Sequence, residues 1–267
     1  MHWILQLDLE QGNVEDILLE VVKELELPHT VIKLVPFSHE LVPEPEITGK
    51  AVVYGSTKLR KISQARNWSP GYYWDDYNFT FEAWREHWGT ELLNHDSVVC
   101  RFEDVPLQID RFFMRPCATD KTFTGSHLEW CDYLEWRKEV LAGEVTQHYQ
   151  DLTADTMVAV APYREIAHEC RFFIANGKIV TGSFYKSIGW RRRIGFYDTP
   201  WYDEEMERYV LDRIAEWQPH KAFVLDIARI DHKTCKIIEV NCYNSSGLYE
   251  CDGRKMIEAL EEMEKDV

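Results

Sequence analysis

Two acidic residues and an amide near the end of the chain have the types and spacing of a metal-binding site. Asp226 lies in a mostly apolar run, and Glu239, followed two residues later by Asn241, lies in the next such run. Short apolar runs of this kind predict two strands joined by a turn. If the turn pairs residue 231 with residue 234, Asp226 faces Glu239 across the ladder, and Asn241 lies on the same face as Glu239.

Two carboxylates that face each other across a ladder repel, so this pairing predicts a positive partner between them. Directly opposed side chains in a sheet have Cβ atoms roughly 4.5–5.5 Å apart. Two carboxylates and an amide oxygen are hard oxygen donors that suit Mg²⁺, which keeps its remaining positions for water and substrate phosphates. The alternative is an acidic pair that faces solvent on a one-sided sheet, and a one-residue bulge would change the register.

Three basic residues upstream supply the opposite charge that such a site needs. Arg115 ends a predicted strand, Lys121 follows in a polar loop at 120–126, and Arg171 lies in a predicted hairpin. Scattered basic residues are usually solvated. Together with the acidic hairpin, however, they have the composition of a nucleotide site, where Lys and Arg balance the remaining charge of metal-bound phosphates.

The elements that position these residues fall into two predicted domains. Residues 1–94 alternate strand, helix, strand, loop and strand, which is typical of a small α/β layer. Residues 95–267 hold the chemistry, and there Asn176-Gly177 between two apolar runs predicts a two-residue hairpin. An aromatic-rich stretch at 68–88 is interpreted as packing at the seam between the two domains, and the alternative is an aromatic wall for substrate.

The composition of the 267-residue chain excludes several classes of protein. Hydrophobic residues make up 45% and charged residues 28%, which is too apolar for a disordered chain. A net charge of -16 repels phosphate backbones and makes a general nucleic-acid binder an unfavoured interpretation. The 7 cysteines form no C-x-x-C pair, which predicts reduced thiols rather than a zinc site. Since neither a signal peptide nor an apolar run of about 20 residues is present, we expect a soluble cytoplasmic protein with no membrane partner.

Roughly residues 95 to 255, with these motifs in this order, resemble the ATP-grasp superfamily. The signature of that superfamily is an acidic residue in one core strand and Glu-x-Asn in the next, which here are Asp226, Glu239 and Asn241. The chain looks most like a clade, common in phages and bacteria, that uses two arginines and a lysine as its basic set. The segments that carry this likeness are Phe113-Met114-Arg115-Pro116, Asp120-Lys121-Thr122-Phe123-Thr124-Gly125 and Glu169-Cys170-Arg171-Phe172.

The resemblance implies an α+β fold, namely a bilobed ATP-grasp fold preceded by a small α/β domain, with ATP and Mg²⁺ as cofactors. The residues it assigns are Asp226, Glu239 and Asn241 to the metal, and Arg115, Lys121 and Arg171 to the phosphates and to catalysis. One departure is that Arg115 stands where most relatives have a lysine.

The resemblance also implies a hinge strand whose backbone holds adenine, at Ala161 and Tyr163 here. Either Glu165 or Glu169 would reach the ribose, and the sequence leaves both open. A second departure is that the phosphate loop has one glycine, Gly125, where many relatives have several.

The function implied is that of an ATP-dependent carboxylate-amine ligase acting through an acylphosphate. Its partners would be small-molecule, amino-acid or peptide substrates, and the oligomeric state is open. The alternatives are a kinase or nucleotidyltransferase that uses the same ATP and magnesium site, and a non-catalytic ATP-binding module. A basic cluster, Arg191-Arg192-Arg193, is either a solvated loop or a grip on an acidic substrate, and our hypothesis is the second.

Overall fold

The structure is a computed structural model that describes residues 1–7, 14–35, 38–118, 122–144, 151–187, 204–230 and 234–265. Lys121 and the cluster at 191–193 therefore lie outside the described residues. The chain divides into two compact units, the first made of Met1–Asp75, His168–Ile227 and Val240–Val267, the second of Asp76–Ala167 and Ala228–Glu239. The predicted division into domains at 1–94 and 95–267 stays a prediction.

The N-terminal part of the first unit is a five-stranded sheet that follows the predicted α/β pattern. Its elements are β1 (His2–Gln6), α1 (Val14–Glu24), β2 (His29–Leu34), β3 (Leu41–Val42), β4 (Ala51–Tyr54), α2 (Thr57–Ala65) and β5 (Pro70–Gly71). The strand order is β3-β2-β1-β4-β5, and β1 runs parallel to both β2 and β4. All of β4 is buried, as expected of a parallel strand covered on both faces.

The second unit contains a four-stranded antiparallel sheet. Its elements are α3 (Phe81–Trp88), β6 (Val98–Arg101), β7 (Phe112–Pro116), β8 (Ser126–Leu128), α4 (Trp130–Ala142) and β9 (Met157–Pro162). The strand order is β6-β9-β7-β8, so β7, which carries Arg115, lies in the interior of the sheet. Buried rings such as Phe102, Phe112 and Tyr133 fill the core beneath it, and each fully buried large apolar side chain stabilises the unit by about 1.5–3 kcal/mol.

The remaining four-stranded sheet carries most of the candidate site. Its strands are β10 (His168–Ala175), β11 (Lys178–Ser187), β12 (Ala222–Arg229) and β13 (Cys235–Asn241), in the order β11-β10-β12-β13. The two remaining helices are α5 (Glu204–Glu216) and α6 (Gly253–Met263). The Asn-Gly hairpin prediction is confirmed, because Asn176 and Gly177 both have positive φ and join the antiparallel strands β10 and β11.

The turn between β12 and β13 differs by one residue from the predicted pairing. The amide of Ile230 donates to the carbonyl of Thr234, so residue 230, not residue 231, pairs with residue 234. Burial along β13 alternates at Cys235 and Ile237 but next falls on Val240, which is a shift of phase within the strand. A phase shift of this kind is typical of a bulge, and it changes which side chains share a face.

The aromatic stretch at 68–88 is mostly core. Its buried rings are Tyr72, Tyr73, Phe79, Phe81, Trp84 and Trp88. Tyr77 is exposed. Among the described residues, no helix combines the length and the apolar character needed to cross a membrane.

Candidate functional site

The centre of the candidate site in the first unit is a buried ion pair between two neighbouring strands. Arg171 on β10 donates through Nε to Oδ1 of Asp226 on β12 at 2.8 Å, and through Nη2 to Oδ2 at 2.7 Å. The side chain of Arg171 is 9% exposed and that of Asp226 is 1% exposed. A forked pair of this geometry is the strongest common form of charge-assisted hydrogen bonding, and burial makes it a rigid one.

Two further contacts complete the surroundings of this pair. Asn241, at the end of β13, donates through Nδ2 to Oδ2 of Asp226 at 3.1 Å, so these two side chains share a face as the sequence predicted. Arg171 donates through Nη1 to the carbonyl oxygen of Gly247 at 3.1 Å. Burial alone would lower the pKa of Arg171, but the charge and hydrogen bonds of Asp226 outweigh burial and raise it, so the guanidinium stays charged.

The loop that follows β13 fixes this centre to the N-terminal sheet of the same unit. Asn244 is 1% exposed, accepts from the amide of Tyr73 at 2.8 Å, and donates to the carbonyl of Val53 at 2.6 Å. The hydroxyl of Tyr54 donates to the carbonyl of Ser246 in the same loop. These buried bonds hold the backbone at 244–247, and Gly247 is the residue whose carbonyl meets Arg171.

The second unit carries its own arginine and carboxylate. Nη2 of Arg115 on β7 lies 3.2 Å from Oε2 of Glu239 on β13, and the side chains are 10% and 31% exposed. The guanidinium of Arg115 lies 4.9 Å from the ring centroid of Trp84 on α3, which is within the range of a cation–π contact. Trp84 was not predicted to contribute to the site, since its position in an aromatic-rich stretch gave no signal beyond core packing.

The predicted phosphate loop is described only from residue 122 onward. Its single glycine has a steric reason, because a Cβ at Gly125 would lie 2.7 Å from the ring of Phe113 and 3.2 Å from Cβ of Arg115. Residues that follow enter β8, where Ser126 pairs with Met114 of β7. The loop therefore runs close to the strand that carries Arg115, as its place in the sequence suggested.

The residues predicted to hold adenine and ribose lie in different surroundings. Ala161 is buried on β9, whereas Tyr163 just beyond β9 is 41% exposed and donates its amide to the carbonyl of Arg111 at 3.3 Å. Glu165 is exposed. Glu169 is 7% exposed and forms an ion pair with Nζ of Lys186 at 2.6 Å, a partner that sequence reasoning missed.

The donors present fit a magnesium ion in their chemistry. Asp226, Glu239 and Asn241 supply two carboxylates and an amide, which are the hard oxygen ligands that Mg²⁺ prefers. A carboxylate has about four lone-pair positions, so a cation can share the oxygens of Asp226 with the donors of Arg171 and Asn241. Within the described ranges, no group of three or more His, Cys, Asp or Glu residues forms a separate metal cluster.

A family model described as an ATP-grasp domain, family 3 of its clade, matches residues 48–260. No curated protein matches the sequence. The fold is similar to that of a D-alanine–D-alanine ligase from Bacillus anthracis in complex with ATP, with a TM-score of 0.63, 10% identity and coverage of 99% of this chain and 97% of that chain.

Two further solved structures give the same result. The D-cycloserine synthetase DcsG is similar with a TM-score of 0.60, 11% identity and coverage of 98% of this chain and 99% of that chain. A RimK domain protein from Sphaerobacter thermophilus is similar with a TM-score of 0.54, 11% identity and coverage of 90% of both chains. At these identities the likeness concerns the fold alone, and it confirms the predicted α+β architecture.

Proposed function

Because this chain belongs to the ATP-grasp superfamily, in the family whose model covers residues 48–260, we propose that it is an ADP-forming ligase that joins a carboxylate to an amine. The observation that carries the proposal is the buried centre of Arg171, Asp226 and Asn241. A buried ion pair is weak support for stability, because the loss of hydration offsets most of the attraction between the charges. Keeping one in the interior of a sheet therefore favours a role in binding a charged ligand.

The basic residues would hold the phosphates. Arg171 has five N–H donors, and its contacts with Asp226 and Gly247 engage three of them among the described residues. One N–H on each terminal nitrogen is then directed to a ligand, a fork that matches two phosphate oxygens. Arg115 and Lys121 would neutralise the rest of the charge on the phosphates and on an acylphosphate. Membership of the phage and bacterial clade with this basic set is part of the same proposal.

The acidic residues would hold magnesium, with Asp226, Glu239 and Asn241 as ligands. When bound, Mg²⁺ supplies countercharge for the β- and γ-phosphates. Adenine would lie against the backbone at Ala161 and Tyr163. Of the two carboxylates proposed for the ribose, Glu165 and Glu169, the second is already engaged by Lys186, which favours Glu165.

The reaction would proceed in two steps. A substrate carboxylate attacks the γ-phosphorus of ATP, so that an acylphosphate forms and ADP leaves, and an amine then displaces phosphate. In both steps negative charge accumulates on oxygens, and fixed arginines stabilise it without reorganisation. The names of two structural neighbours, a D-alanine–D-alanine ligase and a D-cycloserine synthetase, support small amino-acid-like substrates. The net charge of -16 opposes nucleic-acid substrates, and a cytoplasmic location stays part of the proposal.

The experiment is an ADP-release assay with pooled amino acids and short peptides, with product analysis. Ligation yields ADP and phosphate, adenylyl transfer yields pyrophosphate, and a kinase leaves phosphate on the acceptor. Asp226→Asn and Glu239→Gln should lower turnover at least tenfold. The matched control is Glu24→Gln, which removes the carboxylate of an exposed pair with Arg254.

Three outcomes oppose the proposal. Wild-type turnover that persists in both acidic-site variants would mean that the metal assignment is wrong. Pyrophosphate as the product, or phosphate on the acceptor, would replace the ligase with one of the other transferases. An equal loss in Glu24→Gln would show that the assay responds to surface charge rather than to the site.

A further inference from the structure

Two tyrosines cover the guanidinium of Arg171. Tyr185 on β11 and Tyr249 in the loop after β13 stack with ring centroids 4.7 Å apart and planes 10° from parallel. The central carbon of the guanidinium lies 5.5 Å from the centroid of Tyr185 and 5.0 Å from that of Tyr249. A cation within about 6 Å of a ring centroid is attracted by the negative face of the ring. We call Tyr185 and Tyr249 the aromatic clamp.

The backbone at Tyr249 is an independent sign that its ring is retained for a purpose. Tyr249 has φ of 52°, a left-handed conformation that favours Gly or Asn over a bulky aromatic residue. It lies in a turn that is closed by a bond from the amide of Cys251 to the carbonyl of Leu248 at 2.9 Å. Strain of this kind persists only where the surroundings determine the conformation, and it concentrates at ligand sites.

The turn is held from the neighbouring strand by two hydroxyl groups. The amide of Glu250 donates to Oγ of Ser183 at 3.3 Å, and the amide of Asp252 donates to Oγ1 of Thr181 at 3.0 Å. Both hydroxyl-bearing residues are nearly fully buried on β11, the strand that also carries Tyr185. The two rings of the clamp are therefore held by one strand, one of them directly and the other through the turn.

We propose that Tyr185 and Tyr249 are positioning residues that fix the orientation in which Arg171 binds phosphate oxygens. The inference rests on the proposed function, in which Arg171 binds the nucleotide. Asp226 holds one edge of the guanidinium, the carbonyl of Gly247 takes a third donor, and the rings restrict rotation out of that plane. An arginine restricted in this way loses little conformational freedom when an anion binds.

The test compares variants by their affinity for ATP with Mg²⁺, measured by calorimetry, and by their thermal unfolding. Tyr249→Phe keeps the ring, Tyr249→Leu keeps the bulk without the ring, and Tyr249→Gly removes both the ring and the backbone strain. Tyr185→Leu tests the second ring and covers the case in which Tyr249→Leu folds poorly. The matched control is Tyr209→Leu, which removes a ring that lies 5.2 Å from Arg213 on α5.

We expect Tyr249→Phe and Tyr209→Leu to bind ATP within about twofold of the wild type. Tyr249→Leu and Tyr185→Leu should weaken binding roughly fivefold to thirtyfold, the range of a partly buried cation–π contact. Tyr249→Gly should weaken ATP binding while its unfolding temperature stays equal or rises, because glycine relieves the left-handed strain. A merely structural role would lower stability and affinity together, and that result would overturn the proposal.

Arg171→Lys separates a failure of the clamp from a failure of the proposed function. If Arg171→Lys weakens ATP binding and the clamp variants do not, the clamp has no positioning role and the nucleotide assignment stands. If Arg171→Lys binds ATP like the wild type, Arg171 does not bind the nucleotide and both proposals fail. If Tyr249→Leu weakens binding in the wild type but not in Arg171→Lys, the tyrosine acts through the arginine, as proposed.

Discussion

Replacing Asp226 with Asn removes one charge from a buried pair and leaves the shape of the side chain intact. In the folded protein Arg171 would then keep its bond to Gly247 but lose its countercharge in a position that is 9% exposed. Removing one partner of a buried ion pair costs about 3–5 kcal/mol. Because the amide oxygen of Asn still accepts one hydrogen bond, we expect a loss near the lower end, about 3 kcal/mol.

Urea unfolding followed by circular dichroism measures this loss. In a chain of this size, about 3 kcal/mol corresponds to a fall of roughly 6–12 °C in the unfolding temperature. The paired control is the double variant Arg171→Met with Asp226→Leu, which replaces both charges by apolar side chains. A buried pair replaced in this way is often neutral in stability, so the double variant should be at least about 1 kcal/mol more stable than Asp226→Asn while ATP binding is lost in both.

Two results would refute this reasoning. A loss below about 1 kcal/mol in Asp226→Asn would mean that water reaches the guanidinium and compensates its charge. A double variant no more stable than the single one would mean that the lost stability comes from packing and from the bonds to Gly247 and Asn241, and not from an uncompensated charge.

Three further predictions concern the rest of the site and the buried thiols. Arg115→Lys keeps the charge beside Glu239 but loses the fork, so ATP affinity measured by calorimetry should fall roughly tenfold, and an unchanged affinity would place Arg115 outside the phosphate site. Gly125→Ala should destabilise by about 1–3 kcal/mol in urea because the new methyl meets the ring of Phe113, and Phe113→Leu in the same chain should restore part of the loss; wild-type stability would contradict the close approach. Burial raises the pKa of the Cys242 thiol to about 11, so between pH 9 and pH 11 the unfolded thiol ionises while the folded one stays neutral, and stability falls as pH rises. Between about pH 8 and pH 10 this thiol should account for about 1.3 kcal/mol of the decline, which Cys242→Ala should remove; an equal decline in that variant would assign it to other groups.

The residue types of the site could be predicted from the sequence, but much of their geometry could not. Asp226 and Asn241 interrupt apolar runs, and a polar side chain in such a run is visible without any structure. Their shared face was predicted correctly because strand alternation is local. The pairing of residue 230 with residue 234 was not predicted, because a bulge depends on how the strand packs and leaves no mark in the alternation of residue types near the turn.

The partners of the arginines were also beyond the sequence. Tyr185 and Tyr249 meet over Arg171 from separate parts of the chain, and Lys186 reaches Glu169 from the neighbouring strand. Contacts between residues far apart in sequence follow from topology rather than from local pattern. The left-handed backbone at Tyr249 has no sequence signal either, because Tyr is not a residue that usually marks such a turn.

Each compact unit contains an arginine that is held by the same two kinds of neighbour. Arg171 meets the carboxylate of Asp226 and the rings of the aromatic clamp, and Arg115 meets the carboxylate of Glu239 and the ring of Trp84. A carboxylate alone would offset the charge but leave the guanidinium free to rotate, whereas a ring restricts it and takes none of its N–H donors. The combination leaves donors directed outward from a fixed plane, and this is what recognition of phosphate oxygens by arginine requires. Stability alone would not favour this arrangement, since apolar side chains of similar volume would fill either position without the loss of hydration that a buried charge entails.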